Sequence, residues 1–590
     1  MTPQAASVNP VVAAQVEAVR RRFGLWCRDD HTFLRVTGPD AASWLHSQTS
    51  NHVLALDQGH GHANAILDRQ GRLQAHFTLH RWDDEFWLIV EKTQAPTLLE
   101  QFEKHLFIEQ VTIESTGDSL EQVVIQGPRA LGFLASLLGP DEAVASELLP
   151  QTPWGCHPVE LLGHEVLAFR LSPSGEDGYL FVAEQGEGKA LLHELMERAA
   201  QWDACIVDTE AQEVLRIEAG IPKFGVDIDA THPIPETTLE RTAVSYDKGC
   251  YLGQEVVARL RTYGSVKQAL MGLVIGPFDG DWPPIGAALR IGGKKVGALM
   301  SHVLSPTLGA PVALAYLDRD RRVPGTEYAF EVEGRPTALN ATAKVLPLYE
   351  AASREERAEA LYHDALAIFE RDLEDEDESA IPLLKEAILL CPAYEDAYEV
   401  LGVILHRHHR IEEAIHYMKI LAKLNPDCVM AHTNLSVFYV AKGLIEDAEI
   451  EKAQAAVLQI RKISDEARAK EMADHERERI AREAGERIEM FIEVLSIDPE
   501  DPVATFGLGK AYMQLNRYED AAPYFEKAAD LQKDYSAAYL SLGKCHEFLG
   551  YIEEATEAYR NGIAVAGRKG DLMPMREMER RLHAIAAGRK

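Results

Sequence analysis

The sequence predicts a mixed α/β (α+β) domain that ends in a small all-β segment and is followed by an entirely helical region. Three observations predict this order. Short β-rich stretches alternate with helical patterns in the first half, residues 268–348 are dense in Gly and Val, and the chain after Pro347 repeats itself with a helical pattern. Since 590 residues are too many for one hydrophobic core, at least two domains are expected.

The first half contains both of the periodicities that distinguish strands from helices. Its β-rich stretches are separated by turns rich in Gly, Pro and Asp, whereas the segments between them have helical apolar spacing. This mixture is typical of an α/β or α+β fold. The predicted strands are 32–36, 85–90, 122–125, 179–182 and 272–275, and the predicted helices are 39–50, 93–106 and 187–202.

Residues 268–348 form the last part of this first half. They contain β-rich stretches separated by turn signals at Gly292-Gly293 and Pro324-Gly325. Since no helical pattern interrupts them, we expect a small barrel or sandwich appended to the mixed domain.

Internal repeats determine the interpretation of the second half. Leu508-Gly509 recurs 34 residues later as Leu542-Gly543, and Leu401-Gly402 recurs at the same distance as Leu435-Ser436. Small residues at these positions allow paired helices to approach closely, and a period of 34 is the tetratricopeptide (TPR) pattern. The sequence therefore predicts an all-α TPR superhelix with five to six repeats.

These patterns define the expected domain boundaries. A charged stretch at about 456–487 interrupts the repeat phase and predicts a long solvated helix inserted in the array. The predicted segments are an N-terminal extension (1–22), the mixed domain (23–267), the barrel (268–348), a linker (349–360), the TPR repeats (361–569) and a capping helix (570–590).

Composition excludes several classes of function. The formal net charge of -33 argues against a surface that binds nucleic acid directly. No run of about 18 apolar residues is present, so no membrane span is expected, and the N-terminal residues do not resemble a secretory signal. The 7 cysteines are scattered and never form a C-x-x-C pair. They fit a reducing cytoplasm, and no metal site is predicted.

The octapeptide at residues 248–255 reads Lys-Gly-Cys-Tyr-Leu-Gly-Gln-Glu and is the strongest chemical motif in the chain. In the functional interpretation Cys250 is a partly exposed thiol, and Lys248 favours its reactive thiolate. In the alternative interpretation Cys250 is an ordinary loop cysteine, and the glycines serve only the backbone conformation. The residues alone leave both interpretations open.

This octapeptide follows a series of other motifs. These motifs lie, in this order, at 36–40, 67–72, 126–128, 174–179, 215–220 and 224–227. In their residues and their order, they and the octapeptide resemble the folate-binding, YgfZ-type branch of the aminomethyltransferase (glycine-cleavage T-protein) superfamily over roughly residues 23–348. The octapeptide is characteristic of that branch.

The resemblance implies a ring of three parts around a central channel that binds tetrahydrofolate, with the all-β segment as its last part. Glu176 matches the glutamate that holds the amino-pyrimidine face of the pterin, since a carboxylate accepts two parallel N–H donors. Its alternative is a simple turn residue. Arg216 and Glu218 are expected in the same channel, or as an ion pair at a helix. The remaining predicted folate contacts are Tyr251, Gln254 and Arg259.

One position departs from the family pattern. True T-proteins have an aspartate that assists one-carbon transfer in a string resembling Asn-Asp-Val, and this chain has His52 at that place. A histidine can act as a base, but we expect His52 to be a partly exposed polar residue. This departure weakens the prediction of ordinary aminomethyl transfer.

Three functions follow from the sequence. The first is a tetrahydrofolate-binding accessory protein that helps to assemble or repair iron–sulfur clusters on client enzymes, including tRNA-modifying ones, while the TPR groove recruits a protein partner. The second is a folate-dependent aminomethyltransferase or methyltransferase. The third is a scaffold without catalytic activity. The first is the main prediction.

Overall fold

The computed structural model describes residues 9–586 except 118, 140–147, 264–265, 279–280, 333–334, 336, 371–376 and 570. The chain forms two compact units, Met1–Ala448 and Glu449–Lys590. The first unit contains all the strands described below together with the first repeat helices, and the second unit is helical.

The strands pair into two open sheets and one closed barrel. They are β1 (Gly24–Cys27), β2 (His31–Thr37), β3 (Gly61–Leu67), β4 (Leu73–Trp82), β5 (Glu85–Glu91), β6 (Thr112–Ser115), β7 (Leu120–Gln126), β8 (Cys156–Leu161), β9 (His164–Phe169), β10 (Gly178–Glu184), β11 (Cys205–Ile206), β12 (Gln268–Ile275), β13 (Ala288–Ile291), β14 (Lys294–Ser305), β15 (Ala310–Asp318), β16 (Glu327–Val332) and β17 (Leu339–Lys344). The first sheet has the order β3-β4-β5-β2-β6 and the second β11-β1-β7-β10-β9-β8. The barrel closes in the order β12-β15-β14-β13-β16-β17.

Helices surround these sheets and then form the repeats. Those of the first unit are α1 (Pro10–Arg21), α2 (Ala41–Gln48), α3 (Ala95–Lys104), α4 (Ala130–Leu138), α5 (Glu187–Arg198), α6 (Thr209–Glu218), α7 (Glu240–Ala243), α8 (Gln254–Tyr263), α9 (Arg354–Phe369), α10 (Ile381–Leu390), α11 (Glu395–Arg407), α12 (Ile411–Leu424) and α13 (Val429–Lys442). The boundary between the units falls within α14 (Ile445–Ile497). The second unit continues with α15 (Pro502–Gln514), α16 (Tyr518–Leu531), α17 (Ser536–Leu549), α18 (Ile552–Lys569) and α19 (Leu572–Ala586).

The strands and helices predicted for the first half are all present. Strand β7 shows why one of the predicted strands is an unbroken run of apolar residues. It pairs with β1 on one side and β10 on the other. Val123, Val124 and Ile125 are all buried, although successive side chains point to opposite faces of the sheet. Both faces of this strand are therefore covered, which removes the usual alternation of polar and apolar residues.

The prediction of a small barrel in residues 268–348 is confirmed. The interior is filled by buried side chains that include Leu273, Leu299 and Phe330. Gly292 and Gly293 both have positive φ angles, which glycine adopts without strain, and they form the turn between β13 and β14. The predicted turn at Gly292-Gly293 thus lies where the chain reverses from β13 into β14, and Pro324-Gly325 forms a turn before β16.

The N-terminal segment is part of the folded domain. Helix α1 buries Val12, Val16 and Val19, which recur every three or four residues and so lie on one face. The sequence predicts an N-terminal extension over residues 1–22. The described part, from residue 9 onward, instead packs in the core of the first unit.

Helix α9 begins inside the segment that was predicted to be a linker. Ser353 and Glu356 form a capping box at its start. Arg354 is buried and donates hydrogen bonds to Asp177 at 2.6 Å and to the Tyr179 hydroxyl at 2.8 Å. Residues 349–360 are therefore held against the mixed domain by a buried arginine rather than forming an independent linker.

The repeat helices pack closely at the glycines that revealed the repeat. A Cβ atom added to Gly402 would lie 2.7 Å from the side chain of Met418. In the second unit the corresponding contacts are Gly509 with Phe525 and Gly543 with Tyr559. The paired helices thus approach closely at these glycines, as the repeat pattern predicts.

The long solvated helix predicted near 456–487 is also present, as the central part of α14. Its Arg479 pairs with Glu476 and Glu483 on the helix surface. In the middle of this helix, charged side chains thus pair with one another on the surface instead of packing against a hydrophobic core.

Candidate functional site

A cavity of about 620 Å³ lies in the first unit and is the main candidate site. Residues from the first open sheet, from loops next to the second, from the segments around α6 and α7, and from the end of the barrel domain surround it. A volume of this size fits a cofactor-sized ligand. The lining residues are Arg28, His31, Ala63, Asn64, His76, Phe77, Thr78, Ile89, Glu91, Trp154, Leu171, Ser172, Pro173, Ala219, Gly220, Ile221, Pro222, Thr238, Leu239, Arg241, Thr242, Ala243, Leu346 and Pro347.

A hydrogen-bonded cluster of charged and polar side chains lies between β1 and β2. Arg28 donates a hydrogen bond to His31 Nε2 at 2.7 Å, so the ring proton of His31 lies on Nδ1, 2.7 Å from Asp30. Burial, and then the positive charge of Arg28, lower the pKa of His31 to about 4. His31 is therefore neutral at neutral pH and holds Arg28 in place at the cavity wall.

His76 and Glu91 contribute polar groups from the neighbouring strands β4 and β5. Burial lowers the pKa of His76 to about 4, and its Nδ1 is buried without a hydrogen-bond partner among the described residues. Burial also raises the pKa of Glu91. Both residues therefore place polar groups among the apolar side chains of the cavity wall.

Glu176, predicted to hold the ligand, lies outside this lining. It is buried and pairs with Arg20 of α1 at 3.2 Å. Burial raises the pKa of Glu176, and Arg20 opposes this shift. Arg20 also pairs with Glu218 at 2.8 Å.

Glu218 belongs to the same closed network. Its carboxylate is completely buried and accepts hydrogen bonds from Ser305 at 2.6 Å and Thr307 at 2.9 Å, besides those of Arg20. This network joins α1, the turn before β10 and the barrel domain. The structure thus brings Glu176 and Glu218 together, and both carboxylates bind groups of the protein itself.

Arg216 forms a second network. It pairs with Asp227 at 2.8 Å and Glu213 at 2.5 Å, and it donates to Ser301 of the barrel at 2.8 Å. This arrangement fits the alternative stated for Arg216, an ion pair at a helix, and it fastens α6 to β14.

Lys248 is buried beneath the octapeptide loop. Its Nζ donates hydrogen bonds to the main-chain carbonyl oxygens of His46, Thr49 at 2.5 Å and Asn51 at 3.1 Å. Three carbonyls occupy the three N–H donors of an ammonium group. Burial lowers the pKa of Lys248 to about 8. Lys248 therefore fastens the octapeptide loop to the carboxyl end of α2, and its effect on Cys250 stays a prediction.

Cys250 is exposed and borders a separate pocket of about 380 Å³. This pocket lies beside α2 and α3, where Phe102 and His105 contribute to its wall. Tyr251 also borders it and is largely buried, with Lys248 Nζ 5.1 Å from the centre of its ring. Burial raises the pKa of Tyr251 to about 12. The cysteine and the central cavity thus occupy different places in the first unit.

The other predicted residues lie around α8 or α2. Gln254 donates to the Lys248 carbonyl at 3.4 Å and so closes the octapeptide loop. Arg259 is exposed on α8 and is absent from the cavity lining given above. His52 is partly exposed, as expected, and its Nδ1 accepts a hydrogen bond from the Ala55 amide at 3.0 Å.

Sequence reasoning missed the residues that line the cavity. One signal was present in β4, where His76, Thr78 and His80 alternate with apolar residues. Such a strand normally faces water with its polar side, whereas here that side includes His76 and Thr78 of the cavity wall. No local pattern distinguishes a water-facing side from a cavity-facing one.

Comparison with protein families matches most of the chain. Residues 3–248 match the GCVT N-terminal domain, and residues 268–350 match the glycine cleavage T-protein C-terminal barrel domain. Residues 400–467 and 506–565 match the tetratricopeptide repeat. Repeats of this kind indicate protein–protein interaction. Among the described helices, none is long and apolar enough to cross a membrane.

Individual relatives agree with these matches. The chain is 29% identical to an aminomethyltransferase of Cutibacterium acnes over 57% of this chain and 90% of the relative. It is 26% identical to that of Saccharopolyspora erythraea over 57% and 89%, respectively. The crystal structure of glycine cleavage system aminomethyltransferase T from Bartonella henselae has a TM-score of 0.50, is 22% identical and covers 59% of this chain and 95% of that one. This structural likeness concerns the fold alone.

Proposed function

Because residues 3–248 and 268–350 belong to the glycine cleavage T-protein family and TPR repeats follow them, we propose that this chain binds tetrahydrofolate in its central cavity. We further propose that it is a cytoplasmic accessory protein for the assembly or repair of iron–sulfur clusters in client enzymes, among them tRNA-modifying enzymes. In this function the TPR repeats recruit the client or an assembly protein.

The observation that carries the folate proposal is the central cavity of about 620 Å³. Its wall combines apolar surface, such as Ile89 and Leu171, with a few polar side chains such as Glu91 and Thr78. A flat heteroaromatic ligand with polar edges fits this combination. Bound tetrahydrofolate would supply the capacity to carry a one-carbon unit.

Two further features support the accessory function. Cys250 is exposed, so a partner protein can reach its thiol. The repeat helices supply the kind of surface that binds peptides. Since Cys250 lies outside the cavity lining, we propose that the thiol acts on a partner rather than on the cavity ligand.

Calorimetry with tetrahydrofolate tests the cavity. Thr78→Trp places a large side chain in the cavity wall, whereas Thr112→Trp lies on the exposed strand β6 and serves as the matched control. We expect the first variant to bind at least about tenfold more weakly, a loss of about 1.4 kcal/mol, and the second to bind as the wild type does. Absence of binding by the wild-type chain would contradict the proposal, and equal affinity of both variants would exclude this cavity.

The accessory function has its own test. Cells that carry Cys250→Ala should lose cluster-enzyme activity under oxidative stress, whereas Cys428→Ala, a partly buried cysteine in the repeat region, should not. Full complementation by Cys250→Ala would argue against the accessory function while leaving folate binding intact.

A second candidate is a folate-dependent aminomethyltransferase, because the curated relatives carry that name. His52 in place of the expected aspartate counts against the ordinary reaction. An assay of glycine carboxyl exchange, with the partner proteins of a glycine cleavage system, distinguishes this candidate, since an accessory protein gives no exchange.

A further inference from the structure

Helix α13 is apolar on two sides, and one of these sides is uncovered. Leu435 and Phe438 are buried in the core of the first unit, whereas Met430, Val437 and Val440 are 45%, 49% and 55% exposed. The spacing of these three exposed residues places them on one side of the helix. A surface helix normally presents polar residues to water, so the uncovered apolar side is a candidate docking surface.

Helix α11 extends this surface. It contacts α13, and the rings of His406 and Phe438 stack with their centroids 4.5 Å apart. Because the repeat period is 34, Val403 of α11 occupies the same repeat position as Val437 of α13, and Val403 is partly exposed. Equivalent positions of successive repeats face the same side of the array. We name this surface the α11–α13 face, which consists of Asp396, Glu399, Val403, Met430, Val437 and Val440.

The part of this face contributed by the first turns of α11 is acidic. Asp396 is exposed and Glu399 is partly exposed, and neither makes an ion pair with another described residue. Burial, and then the charge of Asp396, raise the pKa of Glu399. The two carboxylates thus lie close together, and a positively charged side chain of a partner would offset their repulsion.

Two aromatic rings lie near these carboxylates. Tyr362 of α9 and Tyr394 have their ring centroids 5.1 Å apart. Burial, and then the charges of Asp396 and Glu399, raise the pKa of Tyr362, so this ring is within electrostatic reach of both carboxylates. A guanidinium group can stack on an aromatic ring while it pairs with a carboxylate. The acidic end of the face therefore suits an arginine.

A second copy of this chain fits the α11–α13 face poorly. In a symmetric pair the same surface of each copy meets its counterpart, so both copies would bring Asp396 and Glu399 into the contact. The face has no lysine or arginine that could pair with them, and the formal net charge of -33 on each chain adds to the repulsion. A partner with basic side chains avoids this cost.

We propose that the α11–α13 face binds a segment of a partner protein that combines apolar with basic side chains. The apolar side chains cover Val437 and Val440, and an arginine or lysine pairs with Asp396 and Glu399. This inference rests on the proposed recruitment of a partner by the repeats and names the class of segment that they recruit. Since α11 and α13 belong to the same compact unit as Cys250, the partner is held on the unit that carries the thiol.

Selection from a random heptapeptide library displayed on phage, with the full-length chain as the target, tests the class of segment. We expect enrichment of peptides that carry arginine or lysine beside apolar residues. The most enriched peptide is then synthesised with a fluorescent label, and its affinity for the wild type and for variants is measured by fluorescence anisotropy. All variants are first checked for wild-type thermal unfolding.

Two double variants test the face itself. Val437→Ser combined with Val440→Ser should weaken binding of the peptide at least about tenfold, because these side chains form the exposed apolar part of the face. Asp396→Asn combined with Glu399→Gln should also weaken binding and should flatten its dependence on salt concentration, because the charge attraction is lost.

Matched controls lie in the second unit. Val503→Ser changes an exposed apolar residue of α15, and Glu519→Gln changes an exposed carboxylate of α16. Both variants should bind the peptide as the wild type does. A loss of affinity in either control equal to that in the double variants would overturn the assignment to the α11–α13 face.

Other outcomes would also overturn the proposal. Enriched peptides that lack basic residues would contradict the class of segment, as would an unchanged salt dependence after Asp396→Asn and Glu399→Gln. Wild-type affinity after Val437→Ser and Val440→Ser would show that the peptide binds elsewhere, while recruitment of a partner stands. If the chain enriches no peptide over an unrelated target protein, the proposed recruitment itself fails, and this result is distinct from the others.

Discussion

Two sets of polar residues in the first unit differ in how their hydrogen bonds are used. In the closed network of Arg20, Glu176 and Glu218, the carboxylates accept bonds from the protein itself. His76 and Glu91 instead border the central cavity. Glu176 and Glu218, which lie in the motifs, thus hold the domain together, whereas His76 and Glu91 lie outside the motifs and line the cavity.

The difference follows from the cost of buried charge. A charge that is fully paired inside the protein contributes to the architecture, and removing its partner is costly because an isolated buried charge remains. A polar atom left open at a cavity is tolerated because water or a ligand can reach it. Variants of the two sets should therefore change different properties, namely stability for the closed network and affinity for the cavity wall.

The largest effect is expected in the closed network. Glu218→Ala leaves the Arg20 guanidinium buried without its main partner and should reduce the free energy of unfolding of the first unit by about 3–5 kcal/mol. All 7 tryptophans lie before residue 283, so tryptophan fluorescence during urea unfolding reports on the first unit alone.

Glu165→Ala provides the control, since Glu165 is exposed on β9. This change should stay within about 0.5 kcal/mol of the wild type. Equal stability of Glu218→Ala and Glu165→Ala would show that the closed network has no structural importance, and the contrast drawn above would then fail.

A smaller effect is expected at the octapeptide, where the contrast lies between two neighbouring residues. Lys248→Met keeps a long unbranched side chain but leaves three main-chain carbonyls without their hydrogen-bond donor. The free energy of unfolding should therefore fall by about 1.5–3 kcal/mol. Cys250→Ser, at an exposed position, should stay within about 0.5 kcal/mol. The same fluorescence measurement compares them. A stable Lys248→Met protein that has lost only the function of Cys250 would instead favour the predicted effect of Lys248 on the thiolate.

The sequence was sufficient for the elements and the repeats, because strands and helices leave periodic patterns along the chain. It was not sufficient for the site, because the partners there are distant in sequence. Glu176 meets Arg20 across 156 positions, and Glu91 shares the cavity with Arg241. A motif shows which residues occur together along the chain, but it does not show which side chain a buried partner has already occupied.

The smallest effect concerns pH and compares two histidines on the same strand. His80 is completely buried and uses both ring nitrogens, with the Trp154 carbonyl at 3.2 Å and the Thr78 hydroxyl at 3.1 Å, whereas His76 lines the cavity. Burial lowers the pKa of His80 to about 3. At pH values between this pKa and that of an unfolded histidine, about 6.5, the unfolded chain binds a proton that the folded chain does not bind. The free energy of unfolding therefore falls as the pH falls.

His80 should therefore contribute a slope of up to about 1.4 kcal/mol per pH unit to the free energy of unfolding in this range. His80→Gln should flatten the fluorescence-monitored dependence by that amount, while His193→Gln, exposed on α5, should leave the slope unchanged. Tetrahydrofolate affinity at neutral pH should be unaffected by His80→Gln and reduced by His76→Gln, since only His76 lines the cavity. An unchanged pH slope in His80→Gln would contradict the role given to His80. An equal loss of tetrahydrofolate affinity in His80→Gln and His76→Gln would contradict the difference between the two positions of β4.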